Sequence, residues 1–239
     1  MQVVYEDNHI IIVAKRSGEI VQGDKTGDTP LSDLVKAYIK ERYQKPGEVF
    51  LGVPHRLDRP VSGLVVFART SKALTRLNAM FAQGEVHKSY WAIVEKGSSC
   101  VPAVASDQRS SAGVQELVHW LTRNEQQNKA YAHLKEVPHS KLARLQYRLL
   151  ATGDHYDLVE VQLLTGRHHQ IRCQLAAIGH PIKGDLKYGA RRSNPDGSIS
   201  LLARHVEFVH PVSKQVISVD APLPEDPLWE KLGRLANEK

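Results

Sequence analysis

Two short stretches of this chain gather side chains able to do chemistry. The first is His55-Arg56-Leu57-Asp58-Arg59-Pro60-Val61-Ser62-Gly63. A carboxylate bracketed by two guanidiniums is favoured in its charged form, which suits a nucleophile or a base better than an acid. The plainer reading is a loop aspartate neutralised by its neighbours. The second stretch is Thr165-Gly166-Arg167-His168-His169-Gln170-Ile171-Arg172, dense in donors where a strand hands over to a helix. Helix N-termini gather backbone N–H groups and tolerate anions, so Arg167, His169 and Arg172 fit a site for phosphate or a substrate carbonyl. A polar connection with solvated donors is the rival. His169 and Cys173 are one helical turn apart, but two ligands do not make a metal site.

Other templates fail on inspection. Residues 179–184 (GHPIKG) have the glycine spacing of a phosphate loop, yet Asp185-Leu186 follow where Lys and Ser/Thr are required. No HExxH, GxSxG or dinucleotide fingerprint occurs, so neither a metal nor a nucleotide cofactor is expected. The two cysteines cannot build a disulfide framework, and no apolar run approaches the length of a membrane span. With no signal peptide apparent, the cytoplasm is the expected compartment.

The excess positive charge is local. Residues 51–96 hold seven Lys/Arg against three Asp/Glu, and residues 165–192 hold six against one, whereas the chain as a whole is +6. Everything else is therefore net −3. Two concentrated basic segments suit a polyanion such as nucleic acid; two unrelated solvated faces are the alternative.

Elements must carry these segments. A branched apolar run at 9–14 (HIIIVA) predicts a strand covered on both faces. Thr29 and Pro30 read as N-cap and first residue of a helix bearing Leu31, Leu34, Val35, Tyr38 and Ile39. The Asp58 loop runs into a strand at 64–68, and Ser71 caps a helix stopped by Gly84. Strands follow at 89–95, 118–122, 130–134, 143–150 and 157–164, after a small-residue loop at 97–113 that reads as a mobile insertion. A helix starts near Arg167 and ends at Gly179; strands at 201–209 and 215–219 and a helix after Pro227 complete the chain. Strands outnumber helices without strict alternation, so the class is α/β or α+β on a large mixed sheet.

Together these residues resemble the RluA family of RNA pseudouridine synthases. HRLDRPVSGL matches that family's HRLDxxTSGL, and KSYWAIVE (88–95) its K-x-Y motif. TGRHHQIRCQLAAIGHPIKGDLKYG (165–189), LLARHVEFVHP (201–211) and the opening VYEDNHIIIVAKRSG match further on. Val61 stands where the family usually has Thr, His168 where Thr or Ser is usual, and AKRSG replaces NKPAG.

The resemblance implies a pseudouridine synthase fold with a central cleft in a mostly antiparallel sheet. It implies a single catalytic domain over 1–239, without the accessory N-terminal RNA-binding domain of some relatives. It further implies an isomerase without cofactor that acts as a monomer on structured RNA, either 23S ribosomal RNA or transfer RNA. Asp58 would be the catalytic carboxylate, acting as nucleophile on C1′ or as base at C2′, with Arg167 pairing to it. Tyr90 would stack on the uracil and remove the C5 proton, and Leu202 would pack on the flipped base. Arg56 would fill the vacated stack. Lys72, Arg76, Lys88, Arg172, Lys183, Lys187, Arg191 and Arg192 would reach phosphates. A catalytically idle RNA-binding protein and a metal-dependent hydrolase are the alternatives. The presence of Asp58, Tyr90 and Arg167 argues against the first.

Overall fold

A computed structural model describes residues 1–97 and 113–238. In chain order the strands are β1 Gln2–Glu6, β2 Ile10–Lys15, β3 Ser62–Ala68, β4 His87–Glu95, β5 Gln115–Asn124, β6 Lys129–His133, β7 Lys141–Thr152, β8 Tyr156–Leu163, β9 Leu201–Val209 and β10 Val216–Asp220. The helices are α1 Leu31–Arg42, α2 Ser71–Gln83, α3 Gln170–Ala177 and α4 Pro227–Asn237. This is an α+β composition. The chain divides into two compact units, Met1–Lys88 with Ala203–Pro222, and Ser89–Leu202 with Leu223–Lys239. The expected loop at 97–113 lies almost wholly outside the described residues. Among those described, no helix is long and apolar enough to cross a membrane.

In the first unit the strands run in the order β1-β2-β3-β9, with β10 on β9. Ile10, Ile11, Ile12 and Val13 are wholly buried, as the unbroken apolar run requires, and they pair antiparallel with β3. Gly63, the second residue of β3, has φ +115°, and a Cβ there would meet the Ala203 carbonyl oxygen at 2.3 Å. Only glycine lets β9 approach so closely. β1 was not anticipated from sequence, being five residues with a half-buried pattern.

Two caps differ from expectation by one residue. Pro30, not Thr29, is the N-cap of α1, and the first helical N–H groups donate to Ile20 and Val21 carbonyls instead of to a side chain. Thr70, not Ser71, caps α2, its hydroxyl accepting from the Ala73 N–H, while Gly84 ends the helix in the left-handed conformation.

In the second unit the order is β4-β8-β7-β5-β6, and the pairs β4–β8, β7–β8, β5–β7 and β5–β6 are antiparallel. α3 packs over β5 and β6 through Cys173, with Leu121, Ala130, Ala143 and Tyr188 in one cluster. It begins at Gln170, three residues later than the sequence suggests, because His169 adopts φ +51° and turns the chain immediately before it.

Candidate active site

Asp58 lies in the first unit, in a loop whose backbone is held at four consecutive carbonyls. Val61 N–H donates to the Asp58 carbonyl at 3.1 Å, closing a turn. The Arg59 carbonyl accepts from Gly18 N–H and Lys15 Nζ, at 2.9 and 3.0 Å. Pro60 accepts from Ser17 Oγ at 3.2 Å, and Val61 from Lys15 Nζ at 2.6 Å. Lys15 is 2% exposed, and its third bond goes to the Arg16 carbonyl at 3.0 Å. Burial pulls its ammonium down to about 8, against which Glu19 and Asp58 act to keep the charge. Residues 15–18 thus form a clamp on 58–61. The clamp uses main-chain acceptors, so Val61 in place of Thr leaves it intact.

His55 anchors the other side of the loop. Its Nε2 accepts from Val66 N–H at 2.9 Å, which puts its proton on Nδ1. Its ring packs on Phe81 with centroids 4.7 Å apart, and the Lys88 ammonium lies 5.0 Å from the Phe81 ring centroid. Burial, with Lys88 adding to it, pulls His55 down to about 3, so it is a neutral strut. Arg59 does not serve Asp58 as the bracketing suggests: its guanidinium donates to Asp28 at 2.6 Å and Thr26 at 2.7 Å, and reaches Asp24 at 3.5 Å. Arg56 is exposed, as a side chain offered to a partner must be.

Tyr90 and Arg167 lie in the second unit. Tyr90 sits in the middle of β4, 6% exposed, opposite Val161 of β8. Arg167 is exposed and follows a latch made by Thr165 and Gln170. The Gln170 Oε1 accepts from Thr165 Oγ1 at 2.8 Å and Arg167 N–H at 2.9 Å, while its Nε2 donates to the Arg144 carbonyl at 3.0 Å. Arg167 Nε donates to the Leu142 carbonyl at 3.0 Å, committing one of five donors. Leu202 is 1% exposed at the start of β9.

Three residues assigned to substrate have other partners. Arg172, whose side chain is 6% exposed, makes a two-pronged bond to buried Asp185, Nε to Oδ2 at 2.6 Å and Nη2 to Oδ1 at 2.9 Å. Such a guanidinium cannot reach a phosphate; it ties α3 to the chain at 185. His169 is buried, with Nδ1 2.9 Å from the Tyr188 hydroxyl, which itself accepts from Ala130 N–H at 2.8 Å. Burial, then the Arg172 charge, pull His169 down to about 2. Lys187 Nζ is bonded to the Gln127 and Asn128 carbonyls, at 3.1 Å each.

The pair His169 and Cys173 offers no metal site either. The Cys173 thiol donates to the Ala130 carbonyl at 3.4 Å, and burial pushes it up to about 11. Among the described residues no group of three or more His, Cys, Asp or Glu is placed to hold a metal.

Sequence reasoning gave no role to Lys15, His55, Gln170 or Asp185. Lys15 closes an apolar strand and reads as a surface lysine, because its carbonyl partners at 59 and 61 are remote in sequence. In the sequence Asp185 stands out only as the residue that spoils a phosphate loop.

Comparison with known proteins gives one consistent result. The family described as RNA pseudouridylate synthase matches residues 9–177. Ribosomal large subunit pseudouridine synthase D of Xylella fastidiosa is 30% identical over 239 residues, covering 95% of this chain and 67% of that protein. Its namesake in Zymomonas mobilis is 29% identical over 237 residues, covering 95% and 70%. The chain thus spans about two thirds of the length of these relatives. Among solved structures, Human RNA Pseudouridylate Synthase Domain Containing 4 superposes with a TM-score of 0.71 over 99% of this chain and 93% of that one, at 21% identity.

Proposed function

Since the chain belongs to the RNA pseudouridylate synthase family and is an isomerase that modifies RNA, we propose that Asp58 is its catalytic carboxylate. The observation that carries this is the clamp on residues 58–61: four consecutive carbonyls are occupied, so an acidic side chain is presented from a backbone that does not need to reorganise. The reaction breaks the C1′–N1 bond of a uridine, turns the uracil and rejoins it through C5. The proton leaving C5 is balanced by one gained at N1, so atoms balance without an oxidant. Asp58 acts at C1′ as nucleophile or at C2′ as base. Tyr90 stacks on the uracil and takes the C5 proton, and Leu202 packs on the base. Arg167 pairs with the carboxylate in this reading.

A uridine within folded RNA must be flipped out, at a cost of a few kcal/mol, and Arg56 replaces it in the stack. Both units serve one catalytic domain in this reading. The substrate class is ribosomal RNA, on the strength of what the relatives are named for. Mapping pseudouridines in ribosomal and transfer RNA from cells with and without the gene tests it. Loss of a ribosomal position supports the assignment; loss confined to transfer RNA moves the substrate there, and no loss anywhere contradicts it.

A further inference from the structure

Three of the six basic side chains that the sequence concentrates in residues 165–192 have partners inside the second unit. Arg172 is held by Asp185, Lys183 Nζ donates to Asn194 Oδ1 at 2.5 Å, and Lys187 is bonded to two carbonyls. Arg191 and Arg192 are exposed, and they line a cavity of about 350 Å³ together with Lys96, His155 and Tyr156. That volume falls within the range of small-ligand sites.

Two carboxylates also reach this cavity, and each has a partner. Glu95 Oε1 accepts the Arg191 backbone N–H at 2.8 Å, with Oε2 3.6 Å from Arg191 Nε. Asp154 is engaged by Lys231 at 3.3 Å. The Arg191 side chain remains 85% exposed, so its long pair with Glu95 is weak and leaves its donors to an incoming anion. Tyr156 supplies a half-buried aromatic wall, and the Lys183 ammonium lies 5.9 Å from its ring centroid.

Guanidiniums beside a flat aromatic ring are the chemistry that holds a nucleotide, the phosphate on the fork and the base on the ring. The cavity is not where Tyr90 works. Glu95 follows Tyr90 by five residues on β4, about 17 Å at the rise of an extended strand. We propose that this cavity is a second RNA-binding subsite, taking the phosphate and base of a nucleotide outside the target uridine. The proposal rests on the RNA-modifying function argued above. An acidic peptide would use the arginines without needing the ring, and the ring is what favours RNA.

The test measures binding of a labelled oligouridylate to the full chain across a salt series, by fluorescence anisotropy. Single-stranded RNA loses about 0.7 in log–log salt slope per phosphate contact, so Arg191→Gln with Arg192→Gln should flatten the slope by about 1.4. Tyr156→Leu should raise Kd about 5- to 150-fold at every salt concentration without changing the slope, and Tyr156→Phe should restore wild-type Kd. Tyr156→Phe also guards against a misfolded Tyr156→Leu, and the arginines are exposed enough to replace without disturbing the fold. An unchanged slope in the double variant, with wild-type binding intact, overturns the subsite. So does a Tyr156→Leu protein that folds and binds as wild type. Failure of the wild type to bind RNA at any salt concentration would instead strike the RNA reading itself.

Discussion

Lys15 makes the Asp58 loop a fixed object. An ammonium with three N–H donors meets three carbonyls, and burial keeps water from competing for them. Replacing it with Met takes the Lys15 donor from the Arg16 and Val61 carbonyls, while the Arg59 carbonyl keeps Gly18 N–H, at about 1–3 kcal/mol for each buried group left unsatisfied. Lys15→Met should therefore lose roughly 3 kcal/mol of stability in urea unfolding. Its kcat should fall about 100-fold, because a carboxylate displaced by an ångström is no longer aimed. Wild-type kcat in a folded Lys15→Met would show that the clamp does not position Asp58.

Arg56 and Asp58 share that loop but should fail differently. With Arg56 in the proposed base-replacing role, Arg56→Ala removes contacts made only after the base leaves the stack, so activity should fall yet persist, and recover in part on unstructured RNA, where extrusion costs less. Asp58→Ala should gain nothing from loosened RNA. Equal losses for Arg56→Ala on structured and unstructured substrates would assign Arg56 to orienting the carboxylate instead.

At the scale of elements, neutral histidines act as struts. His55 joins the Asp58 loop to β3 and α2, His169 joins α3 to Tyr188, and His119 bonds Gln174 of α3. His210, wholly buried, accepts Val212 and Ser213 N–H groups on Nδ1 and places Nε2 2.9 Å from Asp7. Burial lowers the affinity of all four for protons, His55 to about 3 and His169 to about 2. Below about pH 6.5 the unfolded chain takes up protons that the folded chain refuses. Stability from His55 and His169 is full above that pH and declines as pH falls toward 3, by about 1.4 kcal/mol per unit for each, and His119 and His210 act in the same direction. Urea midpoints measured from pH 8 to 4 should be flat and then drop; a midpoint that rises on acidification would contradict this.

Gly63 sets a second condition on the elements. Gly63→Ala forces a side chain into φ +115° against the backbone of Ala203, at about 1–3 kcal/mol for the dihedral alone. Thermal melts should show it less stable than wild type, and an unchanged midpoint would mean that β9 yields easily. The strands other than β1 and the stop at Gly84 were legible from periodicity and turn residues, because those signals are local. The cap of α1 was not, since Ile20 and Val21 carbonyls do that work. The start of α3 was misplaced because nothing in the donor run announces that His169 turns left-handed.

At the scale of the whole molecule, chemistry was more legible than electrostatics. The motifs around Asp58, Tyr90 and Arg167 pointed to the family that the comparisons show. Net charge does not show partners within the fold such as Asp185 for Arg172 or the carbonyls of the β5–β6 turn for the exposed Lys187, because those partners are remote in sequence. Charge counts name candidates; burial decides which remain available.

The central claim is that Asp58 does the bond rearrangement. RNA carrying tritium at C5 of uridine releases it to water only when the uracil is rejoined through that carbon. Wild-type protein should release tritium with turnover. Asp58→Asn, which keeps size and removes charge, should bind the same RNA with little change in Kd yet release tritium at least about 1,000-fold more slowly. Release within tenfold of wild type by a folded Asp58→Asn preparation free of wild-type enzyme would contradict the account.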